Sequence, residues 1–256
     1  MGKLIYAILS GKPGSEMLKA LFAGMKKGIA ETELAVVSSG QISAVVSDIV
    51  KADLVANQAN AITFADVIEI LAQQYTLLPM RFGSVMESAD SVSMMLERNY
   101  EEIQKNLQKV ENKVEYGLKI FCNSEKLREQ IKPKSEELIL SPGKPDSETS
   151  NHSIYRDYVN NKLKEHRLEE LLLAYIDSVI AQITEKINQL SAVLKFKKIV
   201  TETTIIDAVF LLDKEQENNL IQAIDDFKNQ FNALNFVLTG PWPPYNFVET
   251  TIKLPK

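Results

Sequence analysis

The chain has 256 residues, of which 45% are hydrophobic and 25% are charged, a composition typical of a globular protein with one large or two small domains. Its 29 basic and 34 acidic residues give a net charge of −5. The arginines are scattered at Arg81, Arg98, Arg128, Arg156 and Arg167. Because binding through phosphates needs a clustered basic surface, the sequence excludes nucleic acid as a partner.

The sequence predicts neither an exported nor a membrane-spanning protein. Only six apolar residues, Leu4–Leu9, follow Met1-Gly2-Lys3, too few for the core of a signal peptide. No uncharged run approaches the roughly 20 residues that span a bilayer. The single cysteine, Cys122, lies in an apolar run and predicts a buried, reduced thiol. It excludes an intrachain disulfide and favours the cytoplasm.

The first third of the chain predicts strands around one helix. Leu4–Leu9 predict a buried strand, and the apolar spacing from Leu18 to Met25 predicts a helix that follows it. Glu33–Ser38 and Ile42–Val50 are rich in β-branched residues and flank Ser39-Gly40. This pattern predicts a β-hairpin.

Two further helices and two strands are predicted up to Cys122. Thr63 and Asp66 fit the two ends of a capping box, which predicts that a helix begins there. A short strand follows at Leu77–Met80. Apolar residues spaced by three or four then predict one long amphipathic helix over Ser88–Lys109. Val114–Cys122 predict another buried strand.

Between Ile131 and Ser153 the composition shifts to proline, serine and glutamate. Such a stretch predicts a linker, which we place at residues 132–150. It would separate an N-terminal domain of residues 1–131 from a C-terminal domain of residues 151–256.

The second half predicts a long helix and a small antiparallel sheet. One apolar stripe predicts a helix from Ser153 to Leu190, roughly 55 Å long at about 1.5 Å per residue. Paired strands over Val193–Val200 and Ile205–Leu212, a helix over Glu215–Phe231 and a strand over Phe236–Thr239 follow. Each half therefore predicts an α+β layer with helices on one face of a sheet. The second half resembles a ferredoxin-like unit that lacks its first strand.

The last predicted strand leads into Gly240-Pro241-Trp242-Pro243-Pro244-Tyr245-Asn246-Phe247, which contains the only tryptophan. Proline cannot continue a helix or donate to a sheet ladder, so an extended, turn-rich segment is predicted. Because the prolines restrict the chain, the Trp242 ring has little entropy left to lose on docking. We predict that the ring is buried against the protein itself. The alternative is a ring exposed for a partner.

Four segments, in order along nearly the whole chain, resemble motifs of the gas vesicle protein L/F family. The tail is similar to its Gly-Pro-Trp-Pro-Pro-Tyr-x-Phe signature. Leu78-Pro79-Met80-Arg81-Phe82-Gly83-Ser84-Val85 resembles Leu-Pro-hydrophobic-Arg-Phe-Gly-Thr-Val, with Ser84 where Thr is more usual. Val114-Glu115-Tyr116-Gly117-Leu118-Lys119 and Asp207-Ala208-Val209-Phe210-Leu211-Leu212 are similar to two of its strands. Relatives often carry a His where Phe64 or Asp66 lies here.

The resemblance, closest to the F-type members, implies two α+β domains, the first ferredoxin-like. It implies a non-catalytic accessory or minor structural protein that gas vesicle assembly requires. The implied partners are the hydrophobic shell protein and other accessory proteins. The implied location is the cytoplasm, in association with the gas vesicle, and the gas-facing surface of the vesicle is one candidate place. The interaction candidates that it singles out are Arg81, Phe82, Gly83, Glu115, Gly117, Lys119, Pro241, Trp242, Pro243, Pro244, Tyr245 and Phe247.

The residues themselves predict no catalytic, cofactor or metal site. Glu169 or Glu170 could share a helix face with His166, but no second His or Cys lies nearby, so a solvated charged face is expected. Gly11-Lys12-Pro13-Gly14 lacks the spacing of a phosphate-binding loop. We therefore expect no enzyme, no small-molecule substrate and no lipid membrane as a partner.

Two alternatives stay open at this point. Arg81 is predicted to tie the Gly83 turn and nearby carbonyls together with its guanidinium, or else to anchor a carboxylate of a partner. The α+β pattern also permits a small-molecule-sensing regulatory module built on ferredoxin-like domains, because a fold does not imply a function. An enzyme with a dispersed site is a third hypothesis.

Overall fold

The computed structural model of the chain describes residues 1–14, 27–50, 52–122, 125–129, 153–190, 193–196 and 204–248, with residues 153–161, 163 and 164 described by their backbone alone. The helix predicted from Leu18 and the linker predicted at residues 132–150 lie outside these ranges. The fold is α+β, as predicted.

The first sheet contains β1 (Gly2–Ser10), β2 (Leu34–Ser39), β3 (Ile42–Ile49), β4 (Leu77–Pro79) and the short β5 (Val85–Met86). Its strand order is β2-β3-β1-β4, and β5 also pairs with β1. All of these pairs are antiparallel. Read from β4, the order is that of a ferredoxin-like sheet, so the predicted fold of the first part of the chain is confirmed.

Helices cover both faces of this sheet, and the prediction that they cover one face is wrong. Leu4–Leu9 in β1 are buried without alternation. A continuous apolar run of this kind is the pattern of a strand with both faces covered. Helix α1 (Gln58–Ala72) contacts β1 and β4, α2 (Ala89–Arg98) contacts β2 and β3, and α3 (Tyr100–Val110) contacts β1 and β4.

Helix α1 begins at Gln58 rather than at the predicted capping box. The Asn57 side chain accepts a hydrogen bond from the Asn60 backbone N–H at 2.8 Å, which caps the first turn. The Asn60 amide group in turn donates to the carbonyls of Asp53 and Val55. Thr63 therefore lies within the helix, because a stronger cap precedes it.

The single helix predicted over Ser88–Lys109 is two helices, α2 and α3, that meet at Asn99. The backbone of Asn99 leaves the helical region at φ −112° and ψ 14°. Its buried side chain donates to the Met95 carbonyl at 2.7 Å. Apolar periodicity continues across the break, since Leu96 and Ile103 are both buried, and so the pattern alone concealed it.

The second sheet has the order β7-β8-β6-β9. Its strands are β6 (Lys113–Cys122), β7 (Val193–Phe196), β8 (Thr204–Asp213) and β9 (Leu234–Trp242). Helix α4 (Ser153–Gln189) precedes β7, and α5 (Glu217–Gln230) lies between β8 and β9. With β6 as its first strand, this series also has the ferredoxin-like order. Strand β6 is thus the first strand that the second half was predicted to lack.

The chain packs as two compact units that interleave along the sequence. The first unit holds Met1–Tyr116, Leu211–Lys214 and Gly240–Lys256, and the second holds Gly117–Phe210 and Glu215–Thr239. The C-terminal segment therefore packs in the same unit as the first 116 residues. The boundary at residues 132–150 remains a prediction.

Within the second unit, the predicted long helix is confirmed as α4, which has 37 residues. Its apolar stripe is buried at Val179, Ile183 and Ile187. The Tyr175 ring meets Phe231 edge to face, with 6.3 Å between ring centroids. Among the described helices, none is long and apolar enough to cross a membrane.

Candidate interaction surface at the C-terminal segment

Strand β9 runs through Gly240 and Pro241 to Trp242, and the prediction that it ends at Thr239 is wrong. Because β9 is the edge strand of its sheet, one side of it needs no ladder partner. Proline lacks an N–H group and is tolerated at such an edge. The Gly240–Pro241 peptide bond is cis.

Two of the family-like motifs, the β6 motif around Glu115 and the C-terminal tail, lie side by side. In the first unit, a Cβ atom at Gly240 would lie 2.8 Å from the Glu115 carbonyl oxygen, and φ there is +129°. In the second unit, a Cβ atom at Gly117 would lie 2.8 Å from the Thr239 hydroxyl oxygen. Glycine is required at Gly240 because a side chain would both clash and strain the backbone.

A buried carboxylate holds the tail in place. Glu115 is only 3% exposed. Its Oε2 accepts a hydrogen bond from the Asn246 backbone N–H at 2.7 Å, and its Oε1 accepts one from the Asn246 side-chain amide. A buried charge is costly unless it is hydrogen-bonded, so this pair fixes the tail to β6. Asn246 was not among the predicted candidates, although it lies inside the signature.

Phe247, rather than Trp242, is the buried ring of the tail. Phe247 is 1% exposed, and Pro243 and Pro244 are also buried. The Lys109 ammonium group donates to the Phe247 carbonyl at 3.4 Å. Trp242 is 40% exposed, so the prediction that its ring is buried is wrong. The edge strand leaves Trp242 outside, whereas the turn that follows carries Phe247 into the core of the first unit.

Tyr245 is a partly exposed residue of the tail, and its phenol has a raised pKa. Its pKa is raised to about 12, first by burial and then by the charges of Glu69 on α1 and Glu115. The side chain is nevertheless 41% exposed.

The segment Arg81-Phe82-Gly83 packs through its aromatic ring. Phe82 meets Phe64 edge to face at 5.5 Å, and Phe64 stacks on Tyr6 at 5.0 Å. Phe64 is one of the two residues at the place of the family's His. Gly83 adopts a φ of +87°.

The turn at Gly83 is closed by the Arg81 carbonyl, which accepts from the Ser84 N–H at 3.1 Å. The Arg81 side chain is exposed, and no described residue is bonded to its guanidinium group. The prediction that this group ties the turn together is therefore wrong. The alternative, an anchor for a carboxylate of a partner, stays a prediction.

Lys119 lies in the second unit and pairs with Asp207 at 3.4 Å, with half of its side chain exposed. A surface pair of this kind contributes little to stability. In the first unit Lys113 pairs with Asp213 in the same way. Lys113 precedes Lys119 on β6, whereas its partner Asp213 follows Asp207 on β8. These two strands are therefore antiparallel.

The described residues contain no metal-binding cluster. No group of three or more His, Cys, Asp or Glu side chains among them could hold a metal ion. His166 lies 3.4 Å from Glu170, and both are well exposed. Burial raises the pKa of the Cys122 thiol, which disfavours the reactive thiolate.

Comparison with known proteins places these motifs in one family. The model of the family "Gas vesicle synthesis protein GvpL/GvpF" matches residues 2–249. Gas vesicle protein F1 of Halobacterium salinarum is 26% identical over 214 residues, 82% of this chain and 79% of that protein.

Two solved structures share the fold. The crystal structure of the gas vesicle protein GvpF from Anabaena sp. matches with a TM-score of 0.75 at 19% identity, covering 98% of this chain and 99% of that one. The GvpF structure from Microcystis aeruginosa matches with a TM-score of 0.70 at 21% identity, covering 97% and 99%.

Proposed function

The chain belongs to the gas vesicle synthesis protein GvpL/GvpF family, and we propose on this basis that it is a non-catalytic accessory protein that gas vesicle assembly requires. It binds the hydrophobic shell protein and other accessory proteins in the cytoplasm, at the growing vesicle. The observation that carries this proposal is the family match over residues 2–249.

The C-terminal segment supports a binding role. A protein that binds a hydrophobic subunit needs apolar side chains exposed on an otherwise polar surface. Trp242 and Tyr245 meet this need, because both are large and exposed while the segment that carries them is bonded to Glu115 and anchored by Phe247. We name this pair of rings the C-terminal aromatic surface.

The test is capture of the shell protein by the folded, immobilised chain at micromolar concentration without detergent. We expect capture of the shell protein and no turnover of nucleotides, esters or peptides. The double variant Trp242→Ser/Tyr245→Ser should capture less, whereas Leu173→Ser, which changes an exposed apolar residue of α4, serves as the matched control. Failure of the wild-type chain to capture the shell protein would overturn the binding proposal.

A further inference from the structure

Strand β9 presents an open edge that carries no charge. It lies at the end of the order β7-β8-β6-β9, so no described strand pairs with its outer side. Leu234–Trp242 contains no Asp, Glu, Lys or Arg, although 25% of the chain is charged. The unpaired N–H and C=O groups of an edge strand can pair with a further strand, and charged side chains commonly protect against this. The outer edge of β9 lacks that protection.

The other edges among the described strands are less suited to pairing. Strands β4 and β5 have only three and two residues. Strand β7 has four, one of which is Lys195. Strand β2 is uncharged, but its exposed residues are the small Ala35 and Ser38. On β9, by contrast, the apolar side chain of Val237 is 44% exposed, so a pairing partner would remove more apolar surface from water there.

The side chains of β9 alternate between an exposed face and a half-buried face of the sheet. The exposed ones are Asn235, Val237 and Thr239, and the half-buried ones are Phe236 and Leu238. Pro241 lacks the N–H group that a ladder needs. The segment that can pair is therefore Leu234–Thr239, which ends before the C-terminal aromatic surface.

We propose that β9 pairs antiparallel with β9 of a second copy of the chain, which joins the two sheets across a twofold axis. An uncharged strand is its own complement, because self-pairing brings no like charges together. A charged strand would instead lose water from its charges at an edge that offers no opposite charge. A twofold contact of this kind closes after two copies. The pairing goes beyond the proposed function, which concerns other partners.

Val237 lies close to the axis of this pair. Opposed residues of an antiparallel pair share a face of the sheet. The exposed face must therefore meet the exposed face, and the pairing segment is centred between Phe236 and Val237. Val237 then lies opposite Val237 or Asn235 of the second copy, and the two Val237 side chains are direct or diagonal neighbours within about 8 Å.

The mass of the full chain in solution tests the pairing directly. We would measure it by sedimentation equilibrium at chain concentrations from about 1 to about 200 µM, which bracket a weak contact. We expect the mass to rise from 28.8 kDa towards twice that value. The dissociation constant should be on the order of 10 µM, because a short edge buries less area than a standard interface.

Charged variants assign the association to the β9 edge. Val237→Lys and Val237→Glu each bring like charges together at the axis and should weaken association at least about fivefold. An equimolar mixture of the two variants should recover association, because opposite charges then meet. Ile221→Lys, which adds the same charge at an apolar residue of α5 that is 45% exposed, is the matched control and should associate like the wild type. Melting curves establish that each variant is folded.

A wild-type chain that keeps the mass of one copy at the highest concentration would overturn the proposal and leave the edge to a strand of another protein. Association that Val237→Lys leaves unchanged, or that Ile221→Lys weakens equally, would overturn it as well. So would a mixture of the two Val237 variants that associates no better than either variant alone.

Discussion

At the scale of single residues, the Glu115–Asn246 pair decides whether the tail stays on β6. Asn246→Ala removes the side-chain amide that donates to Oε1 of Glu115, a carboxylate that is only 3% exposed. We expect the free energy of unfolding to fall by about 1.5–3 kcal/mol, measured by urea denaturation. Asn235→Ala, exposed on β9, is the control and should change it by less than about 0.5 kcal/mol. Equal losses of unfolding free energy in the two variants would show that the side-chain hydrogen bond between Asn246 and Glu115 does not stabilise the protein.

The Tyr245 phenol makes stability depend on pH in the alkaline range. Its pKa is about 12 in the folded chain, against about 10 in an unfolded one. Since the folded state holds the proton more tightly, the stabilisation is complete below about pH 10 and is lost as the pH rises towards 12. Tyr6 and Tyr175, whose pKa values are also raised by burial, contribute equally to wild type and variant.

Tyr245→Phe should therefore lose less stability than the wild type between pH 9 and 11.5, which urea midpoints across this range would measure. Parallel curves for the two proteins would contradict the raised pKa of the Tyr245 phenol.

The sequence identified some residues of this site and missed others for a physical reason. Glu115, Phe247 and the prolines were recognisable because they lie within short motifs. Lys109 was not, because it reaches the tail only through folding. Lys109 is 138 residues from the carbonyl to which it donates. Exposure of Trp242 was also beyond the sequence, because it depends on β9 being an edge strand.

At the scale of helices and strands, local sequence patterns were sufficient to predict an element wherever its formation depends on its own residues. The β2–β3 hairpin and α4 were predicted from β-branched runs and apolar spacing. The position of β6 in the second sheet was not, because strand order depends on pairing between distant segments. The break at Asn99 was missed because the apolar stripe is continuous on both sides of it.

Asn99 offers a test of that break. Asn99→Asp replaces the amide that donates to the Met95 carbonyl with an acceptor, and it buries a charge. We expect the variant to be less stable by at least about 1–3 kcal/mol in urea denaturation. Asn218→Asp makes the same change on the exposed surface of α5 and should be nearly neutral. A neutral Asn99→Asp would mean that the hydrogen bond does not hold the junction.

At the scale of the whole molecule, the chain contains two sheets of ferredoxin-like order and two interleaved units. The first unit needs residues from both ends of the sequence, since Gly240–Lys256 belong to it. A fragment of residues 1–131 would lack Asn246 and Phe247. It would leave Glu115 without the two N–H donors of Asn246, and the core without the buried Phe247 ring. Composition indicated where a linker should lie but could not show that the tail returns to the first unit.

The central claim is that gas vesicle assembly requires this protein. The most direct measurement is the turbidity that collapses under pressure, a measure of gas-filled vesicles, in cells that make them after the gene for this chain has been deleted. We expect the deletion strain to lose this turbidity, and the wild-type gene to restore it. Normal pressure-sensitive turbidity without the gene would contradict the account.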